Sequence, residues 1–262
     1  MINVRASSLP DLFDCSSRWA AVHIFKKRLP SSPGAVLGKS VHAGTAAYDS
    51  AVLLGSPITV DDAAAAAVDA IHKPNEDVDW QGENKQEVEN IALDLHRLYC
   101  REIAPTQEYL AVEAKCEKVS FSDLGISLTG TVDRVRLTPL GLGIVDIKTG
   151  KTAVSANGEV AVKGHAAQMA TYELLASASL GQTMQAPAQV IGLQAGKTAK
   201  GQRAASAEID GTRDLLIGDE YCPGLLHHAA SIIKSGMFVG NPRSMLCDKK
   251  YCPVFGQCRW RK

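Results

Sequence analysis

The feature that most constrains the fold of this 262-residue chain is the segment 131–148, TVDRVRLTPLGLGIVDIK. Apolar residues recur with a period of two on both sides of TPLG, which can form a tight turn with Pro at its second position. The segment therefore predicts an antiparallel hairpin. If Thr138 pairs with Gly141, Asp133 lies opposite Asp146, with Cβ atoms roughly 4.5–5.5 Å apart.

Two carboxylates at that distance repel each other unless one is protonated or a cation lies between them. A divalent cation removes the conflict, and oxygen-rich sites favour Mg²⁺ or Mn²⁺. Lys148 lies two residues after Asp146 and therefore on the same face of its strand. Two alternatives stay open on these residues alone. A register slip of one residue would separate the acids, and Asp146 and Lys148 could form an ordinary ion pair on a half-exposed strand.

Hydrophobic periodicity along the rest of the chain predicts helices first, then strands, then a mixture of both. Helices are expected at about 8–28, 37–54, 61–71 (with Asp61 as N-cap candidate), 83–103, 160–179 and 213–235. Strands are expected at 108–119, 126–137, 143–149 and 188–194, with a mobile loop at 196–211 and an irregular tail from Met237. This order predicts one α/β domain over residues 1–262, with a central mixed β-sheet flanked by helices.

The composition of the chain indicates its cellular location and the kinds of partner it can bind. The chain is 45% apolar, which supports a sizeable core, and it has no uncharged apolar run long enough to span a membrane. The first residues lack the apolar region of a signal peptide, so a cytoplasmic protein without a membrane partner is expected. The formal net charge is zero, but residues 61–117 carry fourteen acidic and five basic side chains, whereas residues 18–39 and 243–262 are basic. This asymmetry fits either solvated helix faces or a basic end that meets a polyanion.

Four short motifs surround the acidic pair in sequence. Their residues are Gly38 and His42 (G-x-x-x-H), Gly130 and Asp133 (G-x-x-D), Asp146 and Lys148 (D-x-K), and Gln168 and Tyr172 (Q-x-x-x-Y), with Glu113 on the strand before the hairpin. Each motif alone is weak. In this order and spacing the set resembles the RecB-like branch of the PD-(D/E)XK nucleases, over about residues 8–258.

The resemblance implies the PD-(D/E)XK fold and a divalent-metal-dependent DNA nuclease. His42, Asp133 and Asp146 would hold Mg²⁺ or Mn²⁺, together with a backbone carbonyl near Ile147. Lys148 would orient or deprotonate the attacking water or offset charge on the phosphate. The remaining expected site residues are Gln168 and Tyr172, which would position the DNA backbone, and Glu113, which would belong to the catalytic group.

The resemblance favours an exonuclease that acts on single strands or duplex ends. An endonuclease is the nearest alternative, and a non-catalytic DNA-binding or scaffolding protein of the same fold is a second one. A third is a zinc-stabilised interaction module in which the acidic pair is incidental. Stand-alone members of this type are frequent in phages and prophages, and protein partners from recombination or CRISPR systems are conceivable on the same resemblance.

Four of the seven cysteines lie near the ends of the chain: Cys15, Cys247, Cys252 and Cys258. Such a group of cysteines is typical of a metal centre. The group resembles that of the iron–sulfur nucleases, namely the AddB nuclease domain and the CRISPR-associated single-strand exonucleases. This resemblance implies a 4Fe–4S cluster that joins the first helix to the C-terminal tail. The spacing departs from that family, with four residues between the second and third of these cysteines, and zinc is the alternative. The other three, Cys100, Cys116 and Cys222, are expected in the core.

Overall fold

The computed structural model describes residues 1–162 and 164–261. Its strands are β1 (Ile2–Arg5), β2 (Tyr109–Lys115), β3 (Val119–Phe121), β4 (Ile126–Thr129), β5 (Thr131–Thr138), β6 (Gly141–Gly150), β7 (Ala188–Gln194) and β8 (Arg203–Ile209). Its α-helices are α1 (Leu9–Asp14), α2 (Ser16–His23), α3 (Pro33–Leu53), α4 (Val60–His72), α5 (Lys85–Glu102), α6 (Ala166–Leu180), α7 (Thr212–Ile217) and α8 (Leu225–Ser235). The expected α/β class with a mixed sheet flanked by helices is confirmed.

The main sheet has five strands in the order β2-β5-β6-β7-β8. Strands β6 and β7 run parallel and the other neighbours are antiparallel. Alternate residues of β6 enter two separate cores: Ile144 packs with Met169 of α6, whereas Val145 and Ile147 pack with Val41 of α3. Helices α3 and α6 therefore cover opposite faces of the central strand, and the end of β6 lies between them.

The hairpin has the expected register. Thr138 pairs with Gly141, and the ladder continues to Arg134 opposite Val145. The next pair in this register is Asp133 with Asp146, so the TPLG turn does bring the two carboxylates across from each other.

The single strand expected at 126–137 is divided at Gly130. Strand β4 belongs to a second sheet, β1-β4-β3, whereas β5 belongs to the main sheet. A Cβ atom on Gly130 would lie 2.9 Å from Tyr172 Cε1 and 3.1 Å from Leu175 Cδ1. The chain therefore passes close to α6 at a position that has no room for a side chain. The strand expected at 108–119 is likewise divided into β2 and β3, and β1 was not expected at all.

Two of the expected helices are interrupted. The first breaks at Cys15, whose φ of −151° and ψ of 91° are extended. The helix expected at 213–235 breaks between α7 and α8 at Gly218, which has a φ of 72°, and Pro223, which bridges back to it. Both residues disfavour a continuous helix.

Four other boundaries differ from the expectation. Helix α3 begins at Pro33, four residues before the expected start, and Ser32 is its N-cap. Thr59, not Asp61, caps α4, and it forms a capping box with Asp62. Helix α6 starts at Ala166 rather than near residue 160, and within that stretch Lys163 lies outside the described residues. The expected loop at 196–211 contains β8, which pairs with β7 along its whole length. Its small and polar residues have weak strand propensity, so the pairing with β7 determines that this segment forms a strand.

The two ends of the chain meet. Asn241 donates from its side-chain amide to the carbonyl of Asp14 at 2.9 Å, and Ser17 N donates to the Val239 carbonyl at 3.1 Å. Ser16 and Val239 bond reciprocally. The described helices include none with the length and apolar character that a membrane crossing needs.

Candidate active site

An open cleft of about 790 Å³ lies where α3, α6 and the ends of β5 and β6 meet. It is lined by the seven residues expected to form the site: His42, Glu113, Asp133, Asp146, Lys148, Gln168 and Tyr172. Residues from four distant parts of the sequence thus share one surface, as the motif order predicts.

Three of these side chains form a cluster of potential metal ligands. One ligand atom each of His42, Glu113 and Asp133 lies within 4.8 Å of the others. His42 Nε2 is 2.7 Å from the carbonyl oxygen of Ile147, and its Nδ1 is 3.5 Å from Asp133 Oδ2. The backbone N–H of Ile147 donates to that same carboxylate oxygen at 2.8 Å. The imidazole, the carboxylate and the carbonyl expected around a metal are therefore in mutual reach.

Glu113 reaches this cluster through an unusual backbone conformation. Its φ of 49° lies in the left-handed region, which is strained for a residue with a side chain. The distortion follows a register irregularity in β2 between Tyr109 and Ala111. Burial, and after it the charge of Asp133, raises the pKa of the Glu113 carboxyl. Backbone strain and charge repulsion at the same residue are typical of a cation-binding site.

Asp146 is 1% exposed and contacts Lys148 and Gln168. Lys148 Nζ lies 2.6 Å from Asp146 Oδ2. Gln168 donates to Asp146 Oδ1 at 3.1 Å and accepts from Lys148 Nζ at 3.1 Å. This amide therefore holds the carboxylate and the ammonium in fixed positions at the cleft wall.

Burial is the main reason that the pKa of Asp146 rises, to about 6; Lys148 opposes the rise and Asp133 adds to it. Asp146 Oδ2 pairs with the ammonium of Lys148, and it receives no further hydrogen bond from the described residues. A buried carboxylate oxygen with a free lone pair suits a hard cation. With Asp133, Glu113, His42 and the Ile147 carbonyl nearby, the donor set is rich in oxygen and fits Mg²⁺ or Mn²⁺.

Gln168 and Tyr172 lie four residues apart on α6, as expected, but both are buried at 6% exposure. Gln168 also donates to the Tyr172 hydroxyl at 3.2 Å. Burial raises the pKa of Tyr172, so its phenol stays protonated. Gln168 thus makes its hydrogen bonds to the neighbouring site residues, an arrangement that the Q-x-x-x-Y spacing alone did not reveal.

Arg134, which was not singled out in the sequence, lies directly behind the cluster. It is fully buried, and its guanidinium donates to Asp49 Oδ2 at 2.7 Å and to the carbonyl of Asp133 at 2.7 Å. It also bonds Thr45 Oγ1 at 3.3 Å and Glu113 Oε1 at 3.4 Å. Asp49 follows His42 by seven residues, two helical turns, and this spacing was a usable signal.

The four terminal cysteines line one cavity beside Arg18. They are partly buried, and the backbone N–H of Asn241 lies 3.4 Å from Cys15 Sγ. Of the other three, Cys100 and Cys116 are buried as expected, whereas Cys222 is exposed, which corrects its assignment to the core. Cys222 lies in the turn between α7 and α8, where the expected helix is broken.

Comparison with known proteins supports the reading of the motifs. A family model described as the PD-(D/E)XK nuclease superfamily matches residues 4–259. A search of curated protein sequences gives no significant match. A solved structure, that of SSO0001, shares 12% sequence identity, with 100% of this chain and 88% of that chain covered, at a TM-score of 0.46. That score is too low to carry an argument. The family match spans nearly the whole sequence and includes every motif residue, and the chain therefore belongs to the PD-(D/E)XK nuclease superfamily.

Proposed function

We propose that the protein is a Mg²⁺- or Mn²⁺-dependent deoxyribonuclease, most closely related to the RecB-like branch, that removes nucleotides from single strands or duplex ends. The observation that carries the proposal is the mutual reach of His42, Glu113 and Asp133 beside the buried carboxylate of Asp146. The Asp146 oxygen Oδ2 pairs with Lys148 and receives no further hydrogen bond from the described residues. A metal-binding role accounts for several acidic groups gathered around one buried carboxylate.

The residues divide into two groups in this proposal. His42, Asp133, Asp146 and the Ile147 carbonyl hold the metal, with Glu113 as a further ligand or as a base for the attacking water. A bound Mg²⁺ or Mn²⁺ would supply a more acidic water and stabilise charge on the phosphate. Lys148, which is 29% exposed at the cleft wall, donates to the phosphate or orients the water.

Gln168 is a positioning residue in this scheme. It accepts a hydrogen bond from Lys148 and donates one to Asp146, so it fixes the direction in which the ammonium points. Tyr172 limits the movement of the amide from its other side. Contact of Gln168 or Tyr172 with the DNA backbone, as the resemblance implies, requires a small rotation of either side chain toward the cleft.

The mode of cleavage is tested with DNA labelled at either end. Wild-type protein is incubated with 5′- and 3′-labelled single-stranded and duplex DNA in Mg²⁺ or Mn²⁺, and the products are resolved over time. A ladder that shortens from one end is expected. Internal fragments at the earliest times would instead identify an endonuclease, and intact DNA in both metals would leave only a binding or scaffolding role.

We also propose that Cys15, Cys247, Cys252 and Cys258 bind a 4Fe–4S cluster. The four thiols line one cavity where the two ends of the chain meet, as a shared centre requires. Four thiolates are the ligand set of a 4Fe–4S cluster, and a single zinc is the alternative. Arg18 lines the same cavity, where its guanidinium pairs with Asp11 at 2.8 Å.

Metal analysis tests the cluster. Anaerobically purified protein should be brown and contain iron and sulfide. Cys15→Ser, Cys252→Ser and Cys258→Ser should each bleach it, whereas Cys222→Ser, at an exposed cysteine far from the cavity, should not. Stoichiometric zinc without iron would show that the four cysteines bind zinc instead of a cluster. Absence of both metals would contradict a shared metal-binding role for these cysteines.

A further inference from the structure

A second cavity, of about 570 Å³, borders the active-site cleft. The two share Ser7 and Tyr172 as lining residues. We call this cavity the side groove. Because the cleft and the side groove are neighbours, a chain-like ligand that leaves one can reach the other.

The side groove is positively charged. Its charged lining residues are Arg5, Lys115 and Lys118, and no carboxylate lines it. All three side chains are exposed, and none forms an ion pair with any residue that the structure describes. Their charges are therefore available to an anionic ligand.

Another cavity that borders the cleft has a mixed charge. It shares Gly34 with the cleft and is lined by Glu83 and Glu87 as well as by three lysines. One of those lysines, Lys197, pairs with Glu87 at 2.7 Å. That cavity therefore carries both signs of charge, whereas the charged residues that line the side groove are all cations.

Strand pairing fixes the position of the cations. Arg5 pairs with Thr129 at the end of β1, and Lys115 pairs with Thr131 at the end of β2. These two pairs lie on either side of Gly130, the residue at which the two sheets separate. The groove therefore lies where the two sheets separate, and strands present Arg5 and Lys115, while Lys118 lies in the short connection between β2 and β3.

We propose that the side groove binds the sugar–phosphate backbone of a single DNA strand that continues out of the cleft. This inference rests on the proposed nuclease function. Unpaired cations and the hydroxyls of Ser7 and Thr131 are typical phosphate contacts. The volume suits a short segment of one strand and is too small for a duplex.

The contact is independent of base sequence. The aromatic residue among the described groove-lining residues is Tyr172 of α6, which is buried, so this lining offers no exposed aromatic side chain on which a base could stack. Affinity should therefore come from phosphate charge and fall steeply as salt rises.

The experiment measures binding without cleavage. A labelled single-stranded oligonucleotide is titrated in EDTA at several NaCl concentrations with wild-type protein, with Lys115→Ala/Lys118→Ala, and with Lys27→Ala/Lys200→Ala. The control pair removes the same charge from exposed positions outside the groove and the cleft. Melting temperatures are compared to establish that all three proteins are folded.

For single strands, each lost phosphate contact lowers the slope of log affinity against log salt by about 0.7. The groove variant should therefore lose about 1.4 from the slope, and the control pair should lose nothing. Equal slopes for the two variants would contradict DNA binding in the side groove, even if the wild type cleaves DNA. The wild type could instead bind with the expected slope but cleave no DNA in Mg²⁺ or Mn²⁺. That result would contradict the nuclease function but not DNA binding in the side groove.

Discussion

Asp146 shows at the scale of one residue how burial and function are linked. Its pKa is raised to about 6, chiefly by burial, so the folded metal-free protein binds a proton more tightly than the unfolded chain does. Ionised Asp146 therefore lowers the stability of the metal-free protein as pH rises from about 4 to about 6. A bound cation reverses this cost, because it favours the ionised form.

Asp146→Asn should separate these effects. Asn keeps an acceptor for the Gln168 amide and removes the buried charge. Without metal, the variant should melt higher than the wild type at pH 8 and similarly at pH 4. The increase in melting temperature that Mg²⁺ or Mn²⁺ gives the wild type should vanish in the variant, and in the wild type it should fade below pH 6. Equal metal stabilisation of both proteins would exclude Asp146 as a ligand.

Arg134 is the second residue with a clear expectation. Arg134→Met leaves Asp49 buried without its cation, which should cost about 3–5 kcal/mol of unfolding free energy in urea denaturation. The double variant Arg134→Met/Asp49→Leu removes both charges and should recover much of that loss. Its cleavage should stay impaired, since Asp133 and Glu113 have lost their support. Recovery of full activity would show that Arg134 only stabilises the fold.

At the scale of elements, the two motif glycines should behave in opposite ways. Gly130→Ala places a methyl group 2.9 Å from Tyr172 Cε1 and should cost about 1–3 kcal/mol. Gly38→Ala meets no atom within 4 Å in the middle of α3 and should stabilise by about 0.5–1 kcal/mol. Its methyl group faces the cleft, so DNA cleavage should nevertheless fall. Denaturation curves and cleavage rates check both, and equal stability changes would contradict the packing at Gly130.

Some elements followed from the sequence because they depend on local interactions. The hairpin register was predictable from its turn, and the existence of α3 and α5 from their hydrophobic periodicity. The division at Gly130 was not, because it arises from contact with α6, more than 40 residues later in the chain. Strand β8 escaped prediction for the same reason, since its partner β7 determines it. The seven expected site residues line one cleft, but the hydrogen bonds of Gln168 and Arg134 depend on contacts between distant segments that the sequence does not reveal.

At the scale of the whole molecule, the cysteine site would join the two ends of the chain. Cys247 follows Cys15 by 232 positions (247 − 15), so a cluster between them closes almost the entire chain. By analogy with a cross-link, such a closure stabilises by roughly 4–5 kcal/mol. Cys15→Ser should therefore lower the melting temperature strongly under anaerobic conditions, whereas Cys222→Ser should not. Equal melting temperatures would contradict a shared centre.

The central claim is that the cleft around Asp146 and Lys148 cleaves DNA. Single-turnover cleavage of end-labelled single-stranded DNA in Mn²⁺ tests it most directly, with Lys148→Met compared with the wild type and with Lys151→Met as a lysine control three residues away. We expect Lys148→Met to lower the rate by about 10²–10³-fold, since it removes a charge aimed at the reacting phosphate. Lys151→Met, which lies outside the lining of the cleft, should stay within a few-fold of the wild type. A Lys148→Met rate equal to that of the wild type would contradict the assignment of the active site.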